Sequence, residues 1–168
     1  TVMTLIQSRD ITVNRPLSPL LRFVDVAVHA GEKVLILGPS GSGKTTLLSV
    51  LAGLLAPGTG RVTFGGKNIY DLPPRARDHL RGKNFGFVFQ TLHLLPSLTL
   101  RQNIALAADM AELPRDEGRI DHLLATLGLA DKSHRKPEAL SQGEQQRAAI
   151  ARAVLNRPKI ILADEPTS

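Results

Sequence analysis

The chain has 168 residues, of which 42% are hydrophobic and 21% charged, and this composition provides one compact core and excludes a disordered protein. It has no cysteine, no signal peptide and no run of the roughly 18 apolar residues that a membrane-spanning helix needs, so we expect a soluble intracellular domain without disulfides or thiolate metal sites. The net charge of +6 is spread along the chain, and its densest group, residues 75–83, has no aromatic side chains for base stacking, which favours a solvated face over contact with nucleic acid or anionic lipid.

The amino-terminal half begins with β structure and continues with a strand, a loop and a helix. Short apolar runs over the first thirty residues predict strands, and a turn follows at residues 29–32. The continuous apolar run over residues 33–37 predicts a strand buried on both faces. A glycine-rich loop over residues 38–43 precedes a predicted helix over residues 44–55, and residues 61–64 predict a further strand.

The carboxyl-terminal half is mainly helical. Residues 85–89 predict a strand that ends at Gln90, and residues 100–129 have a helical pattern interrupted at Pro114 and closed by Gly128. A helix over residues 142–156 ends before Pro158, and residues 160–163 predict a last buried strand. Strands that alternate with helices in this way predict an α/β domain.

The loop before the first helix has the pattern of a phosphate-binding loop. Its residues are Gly38, Pro39, Ser40, Gly41, Ser42, Gly43, Lys44 and Thr45. Glycines let successive backbone N–H groups point at phosphate oxygens, and the following helix adds its positive amino end. Lys44 would reach the β and γ phosphates, while the Thr45 hydroxyl would bind Mg²⁺. A flexible glycine-serine turn is the alternative, but the position between a strand and a helix favours phosphate binding.

Two carboxylates follow the last predicted strand. Asp164 would bind Mg²⁺ directly or through water, and Glu165 would orient and deprotonate the attacking water. Alone, such a pair is usually a solvated turn, whereas together with a phosphate loop it predicts a nucleotide-hydrolysing site.

Two further motifs complete a set. Residues 140–147, Leu-Ser-Gln-Gly-Glu-Gln-Gln-Arg, resemble the signature sequence of ABC transporter ATP-binding subunits, and Val88-Phe89-Gln90 resembles their Q-loop. The phosphate loop (Walker A), the Q-loop, the signature and the last strand with its two carboxylates (Walker B) occur in the order and spacing of that family. Together they cover nearly the whole chain. The segments 81–90 and 94–99 look most like the lipoprotein-release and macrolide-export group.

The resemblance implies a fold and a division of the chain. The fold would be an α/β P-loop NTPase, an ABC ATPase core with an amino-terminal antiparallel β region and an α-helical subdomain. Residues 1–168 would form a single ABC ATPase domain, with residues 1–90 and 141–168 as core and β region and residues 91–140 as the helical subdomain.

The resemblance also implies roles for residues. Residues from Gly38 to Thr46 would hold the triphosphate of ATP, Thr45, Gln90 and Asp164 would bind Mg²⁺, and Glu165 would be the general base. Lys44 and Gln90 would be catalytic as well. Ser141 and Gly143 would contact the γ-phosphate bound to a second nucleotide-binding subunit, so that a homodimer closes on ATP.

The partners would be membrane-spanning permease subunits, which the leucine-rich segment after Gln90 would contact, at the cytoplasmic face of the bacterial inner membrane. No nucleic acid is expected. Within the signature, Ser141 and Glu144 also have the spacing of a helix capping box, and the two roles are compatible.

The sequence departs from the family in three places. Gln142 and Glu144 replace the usual glycine and glutamine of the signature. No aromatic residue lies between Ser8 and Leu20 to stack on adenine, and Phe23 alternates like a core residue, which leaves the base specificity open.

The sequence also stops soon after Walker B, whereas the family continues through a D-loop and a strand with a switch histidine. All five histidines precede Walker B. We therefore expect a fragment with weak or no ATPase activity, or a rearranged sheet, because the absent strand would leave unpaired backbone groups beside the Walker A and Walker B strands.

Two other functions remain as alternatives to the transporter subunit, which we take to power an exporter. An ABC-type ATPase acting on nucleic acid is disfavoured because only 97 residues separate Lys44 from Ser141, too few for a long insertion. A nucleotide-dependent binding module without turnover would bind ATP, and its activity would not respond to Glu165→Gln.

Overall fold

The computed structural model describes residues 4–16 and 18–165, and it divides into two compact units, Thr1–Asp78 and His79–Ser168. The helix Pro74–Asn84 (α2) spans the boundary between them, and none of its side chains is fully buried. In the basic group at residues 75–83, Arg75, His79 and Lys83 are exposed, whereas Arg77 is half-buried against the Tyr70 ring, so the prediction of a solvated face holds only in part.

The first unit is built on an antiparallel sheet around one long strand. Strand β1 (Thr4–Arg15) pairs with β2 (Ser18–Arg22), β3 (Val26–His29) and β4 (Thr59–Phe64), and β4 pairs with β5 (Lys67–Asn68). A twelve-residue strand is long enough to serve several partners, and register shifts allow it to bend between them. The predicted amino-terminal β region is present.

Helix α1 (Lys44–Leu51) packs its apolar residues into this unit. The buried side chains around it include Ile6, Ile11, Leu47, Val50 and Val62. The helix ends four residues before its predicted end because Gly53 has a φ of 72° and the N–H groups of residues 54 and 55 return to the Ser49 carbonyl. The Tyr70 hydroxyl lies 2.6 Å from both the Val50 and Leu55 carbonyls and fixes this end of the helix.

The strand predicted at residues 33–37 is absent, and the prediction that it is buried is wrong. Residues 33–37 adopt no secondary structure, and Leu35 and Leu37 are 79% and 82% exposed. An apolar run becomes a strand only where a neighbouring backbone accepts its hydrogen bonds, and among the described residues no strand pairs with it.

The second unit joins a short parallel sheet to three helices. Strand β6 (Phe85–Val88) pairs in register with β7 (Ile160–Ala163), so that Phe85 is opposite Ile160 and Val88 opposite Ala163. Helices α3 (Leu100–Met110), α4 (Glu117–Thr126) and α5 (Gln142–Val154) surround a core of leucine, isoleucine and alanine side chains. The interruption at Pro114 and the end at Gly128, where φ is 66°, are as predicted.

The parallel sheet of this unit has two strands among the described residues. Ile160 is buried, but Ile161 is 54% exposed and Ala163 is also exposed, so the expectation of a fully buried last strand is wrong. Residues 33–37 in the first unit and β7 in the second each present exposed apolar side chains.

Short 3₁₀ helices connect these elements, at Ile69–Asp71 in the first unit and at Ala130–Lys132 and Pro137–Ala139 in the second. Gly86 in β6 lies directly against α5, since a Cβ at this position would be 2.2 Å from the Ala153 carbonyl oxygen. No helix in the described part of the chain is both long and apolar enough to cross a membrane.

Candidate functional site

The glycine-rich loop has the backbone shape that phosphate binding requires. Gly41 and Gly43 have φ angles of 78° and 98°, in the left-handed region that residues with a Cβ rarely adopt. A turn from the Pro39 carbonyl to the Ser42 N–H closes the loop. Gly43 is the cap residue before α1. The first turn of this helix carries no acidic residue that would repel a phosphate.

Lys44 points back over its own loop. Its Nζ donates to the carbonyls of Gly38 at 2.7 Å and Pro39 at 3.0 Å, so the ammonium is held where the loop curls. The side chains of Ser40, Ser42 and Thr45 are exposed in this segment. The loop therefore offers backbone N–H groups, a lysine charge and hydroxyls at one helix start, which is the donor set for a polyphosphate.

In the second unit, Gln90 and Asp164 each follow the carboxyl end of one of the two paired strands, β6 and β7. The Asp164 N–H donates to the Val88 carbonyl at 2.9 Å, which extends the β6–β7 pairing by one step. Gln90 follows Val88 by two residues, and its side chain is exposed. A carboxylate and an amide oxygen at the carboxyl ends of paired parallel strands are hard oxygen ligands that suit Mg²⁺.

Glu165 is exposed and has a φ of 45°. A positive φ is uncommon for glutamate and occurs often at functional sites. The residue before it, Asp164, is half-buried. The two carboxylates therefore differ in their exposure to solvent.

The signature residues lie at the start of α5. The Ser141 side chain accepts from the Glu144 N–H, and the Glu144 side chain accepts from the Ser141 N–H at 2.9 Å, so the predicted capping box is present. The Lys132 ammonium and the Ser141 N–H hold the pKa of the Glu144 carboxyl below its usual value. Ser141 and Gly143 are exposed, which leaves this end of the helix accessible.

Residues that the motifs do not contain organise the segment after Gln90. Arg152 of α5 donates to the Leu92 and His93 carbonyls at 2.6 and 2.8 Å. Asn103 of α3 is fully buried and bonds to the backbone of Leu95 and of two neighbouring residues. Neither residue was predicted from the sequence. An arginine among the buried alanines of α5 is, however, a signal that could have indicated Arg152.

The phosphate loop belongs to the first unit, and Gln90, Ser141, Gly143, Asp164 and Glu165 belong to the second. Within the described residues, no cluster of three or more histidine or acidic side chains forms a metal site by itself.

Sequence comparison finds relatives among bacterial transport proteins. Residues 21–168 match the family described as ABC transporter. The chain is 40% identical to the lipoprotein-releasing system ATP-binding protein LolD of Wigglesworthia glossinidia brevipalpis, over 98% of this chain and 75% of LolD. It is 47% identical to the macrolide export ATP-binding/permease protein MacB of Burkholderia lata and 46% identical to the pyoverdine export ATP-binding/permease protein PvdT of Pseudomonas fluorescens.

The chain spans only 22% and 23% of the lengths of these MacB and PvdT proteins. Among solved structures, two dimeric structures of the ATP-binding cassette MJ0796, one of them bound to ADP and Pi, each superpose with a TM-score of 0.84. The sequence identities are 34% and 35%, and the superposition covers 97% of this chain and 75% of MJ0796.

Proposed function

Because the chain belongs to the ABC transporter family, we propose that it binds and hydrolyses ATP to power a membrane transporter, and that this transporter is an exporter. The fold is the ABC ATPase fold that the motifs predicted, and the relatives belong to the predicted lipoprotein-release and macrolide-export group. The observation that carries the proposal is the phosphate loop, whose glycine conformations and lysine position match the chemistry of a triphosphate.

The residues from Gly38 to Thr46 would hold ATP. Their N–H groups would donate to the phosphate oxygens, and the Lys44 ammonium would exchange its bonds to the Gly38 and Pro39 carbonyls for bonds to phosphate.

The oxygen atoms of Thr45, Gln90 and Asp164 would hold Mg²⁺, which supplies charge neutralisation for the phosphates when bound. Glu165 would take a proton from the water that attacks the γ-phosphorus. The bond from that phosphorus to the bridging oxygen then breaks, and ADP and phosphate leave. The exposure of the Glu165 side chain supports its access to water.

Assembly would complete the site. Ser141 and Gly143 are exposed at a capped helix start, where partial positive charge favours an anion. We place the γ-phosphate of a second copy there, which gives a homodimer that closes on two ATP molecules. The dimeric form of MJ0796 supports this proposal.

The proposed partners are membrane-spanning permease subunits, at the cytoplasmic face of the bacterial inner membrane. Residues 91–140 would contact the permease as a helical subdomain, with residues 1–90 and 141–168 forming the ATPase core of one domain. The export relatives, which combine ATP-binding and permease functions by name, support the direction of transport.

The test is the substitution Lys44→Ala with a matched control, Lys67→Ala, which removes an exposed lysine in the same unit. We expect Lys44→Ala to weaken binding of a fluorescent ATP analogue about 100-fold, because a charge-assisted bond to phosphate contributes up to ~3 kcal/mol. Lys67→Ala should bind like the unmodified protein. An unchanged affinity of the Lys44 variant would contradict the assignment of the phosphate loop.

A further inference from the structure

The Arg152 side chain of helix α5 bonds to the segment after Gln90. Arg152 donates from one guanidinium nitrogen to the Leu92 carbonyl at 2.6 Å and from the other to the His93 carbonyl at 2.8 Å. These partners lie 59 and 60 residues away in sequence. A planar guanidinium that bonds two successive carbonyls fixes their position and their orientation together.

Arg152 is half-buried, and among the described residues no carboxylate forms an ion pair with it. Burial lowers its pKa. A half-buried charge without a carboxylate is unfavourable unless it is hydrogen-bonded, and the two carbonyls each accept one hydrogen bond from the guanidinium.

The rest of the segment is fastened from other directions. The His93 ring meets the Phe89 ring edge-on at 5.3 Å, and Phe89 stacks on Phe87 at 5.4 Å. His93 has a φ of 49°, a backbone conformation that persists only where the surroundings hold it. Val88 is held by the β6–β7 pairing and by the Asp164 N–H.

Gln90 thus lies on a three-residue bridge, residues 89–91, between the sheet at Val88 and the carbonyl held by Arg152 at Leu92. Without the guanidinium, the sheet would still hold one end of the bridge, and beyond the other end the described contacts would be the His93 ring contact, the packing of Leu94 and the Asn103 bonds to the Leu95 backbone. Ser141 caps the start of helix α5, which also carries Arg152. One helix therefore connects the signature residues to the segment that Arg152 holds.

We propose that Arg152 is a positioning residue for ATP hydrolysis, which holds Gln90 in place relative to the helix that carries Ser141 and Gly143. The inference rests on the proposed function, because it assigns Arg152 to the site in which Gln90 binds Mg²⁺. Arg152 acts through the backbone and touches neither the nucleotide nor the ion.

The experiment compares Arg152→Met with Arg119→Met in the full-length natural protein. Arg119 of α4 also donates to two backbone carbonyls of the α5 region, those of Val154 and Leu155, at 2.9 Å each. Both variants lose a guanidinium and two hydrogen bonds to carbonyls, but only the first releases the segment after Gln90. The two should lower the melting temperature by similar amounts.

The first measurement uses no nucleotide. In Arg152→Met we expect amide hydrogen exchange over residues 89–93 to become about tenfold faster or more, because the hydrogen bonds that close the segment are lost. Arg119→Met should leave exchange in this segment unchanged. Equal exchange rates for residues 89–93 in the two variants would overturn the inference.

The second measurement is steady-state hydrolysis. Arg152→Met should lower kcat about tenfold or more and raise the Mg²⁺ concentration for half-maximal rate by about the same factor, because a lost outer-shell contact misplaces an ion ligand. The KM for ATP should stay within about twofold. Arg119→Met should keep the unmodified kcat and Mg²⁺ dependence. A loss confined to KM, or an equal loss in both variants, would overturn the inference.

The conservative variant Arg152→Lys retains the charge and reaches one carbonyl, so its kcat should lie between those of the unmodified protein and Arg152→Met. If Arg152→Met does not fold, Arg152→Lys decides the question, and unmodified kinetics in that variant would count against the inference. The proposed function fails separately, if the unmodified protein shows no turnover that Lys44→Ala removes.

Discussion

Asn103 shows how much one buried amide organises in this protein. Its Nδ2 lies 3.0–3.2 Å from the carbonyls of Leu95, Leu98 and Thr99, which share its two hydrogens, and its Oδ1 accepts from the Leu95 N–H at 2.7 Å. The side chain is fully buried, so these bonds satisfy its polar atoms and join the loop at Leu95 to helix α3.

We expect Asn103→Leu, which preserves the volume but no polar atom, to lower the free energy of unfolding by about 2–4 kcal/mol, because the part-buried Leu95 N–H loses its acceptor and the carbonyls near Asn103 lose a donor. Urea denaturation measures the effect. The control Asn84→Leu removes an amide whose one hydrogen bond, at 2.9 Å, goes to the Leu80 carbonyl of its own helix, and it should change the stability by less than about 1 kcal/mol. Similar losses in the two variants would contradict the role given to Asn103.

At this scale, the sequence predicted the residues whose chemistry is local. The phosphate loop is a contiguous motif, so Gly41, Gly43 and Lys44 could be assigned from their spacing. Arg152 could not be assigned, because its partners lie about sixty residues away and are backbone carbonyls that any sequence provides.

Two helices of the second unit begin with the same device. Thr99 and Gln102 form a capping box at α3, and Ser141 and Glu144 form one at α5. A capping side chain contributes about 1 kcal/mol to stability whatever else the helix does. A comparison of the two capping boxes therefore separates the structural role of Ser141 from its proposed role in binding ATP.

We expect Thr99→Ala and Ser141→Ala to lower the free energy of unfolding by about 1 kcal/mol each. Only Ser141→Ala should also weaken ATP-dependent dimerisation, measured by light scattering at saturating Mg-ATP. A comparable dimerisation defect in Thr99→Ala would mean that lost stability, and not a lost contact to phosphate, explains the effect.

Elements with a strong local pattern were predicted well, and those that depend on a neighbour were not. Helix α5 has both a capping box and a proline after its end, and its start was predicted to the residue. Residues 33–37 have an equally clear apolar pattern, but a strand also requires a paired backbone, which the pattern does not encode.

For the whole molecule, the set of motifs identified the fold because four signals in a fixed order constrain the chain more than any one of them. The TM-score of 0.84 against MJ0796 confirms it. The division of the chain into core and helical subdomain stays a prediction, as do the ligand roles of Gln90 and Asp164.

Dimerisation is the property of the whole molecule that tests the catalytic role of Glu165. In the full-length natural protein, Glu165→Gln should accumulate an ATP-bound dimer, because the nucleotide that holds the subunits together is no longer hydrolysed. Size-exclusion chromatography at saturating Mg-ATP measures it. The control Glu138→Gln removes an exposed carboxylate outside the proposed site and should elute like the unmodified protein. A persistent monomer in the Glu165 variant would argue against its role as general base.

The exposed apolar residues at 33–37 affect how the chain behaves at high protein concentration. Leu35 and Leu37 are exposed, and no described strand pairs with their segment. An unpaired apolar segment of this kind can pair with strands of other molecules. Self-association by this route would increase with protein concentration and would not respond to nucleotide. Self-association through residues 33–37 and ATP-driven dimerisation can therefore be distinguished, because only the dimerisation depends on Mg-ATP.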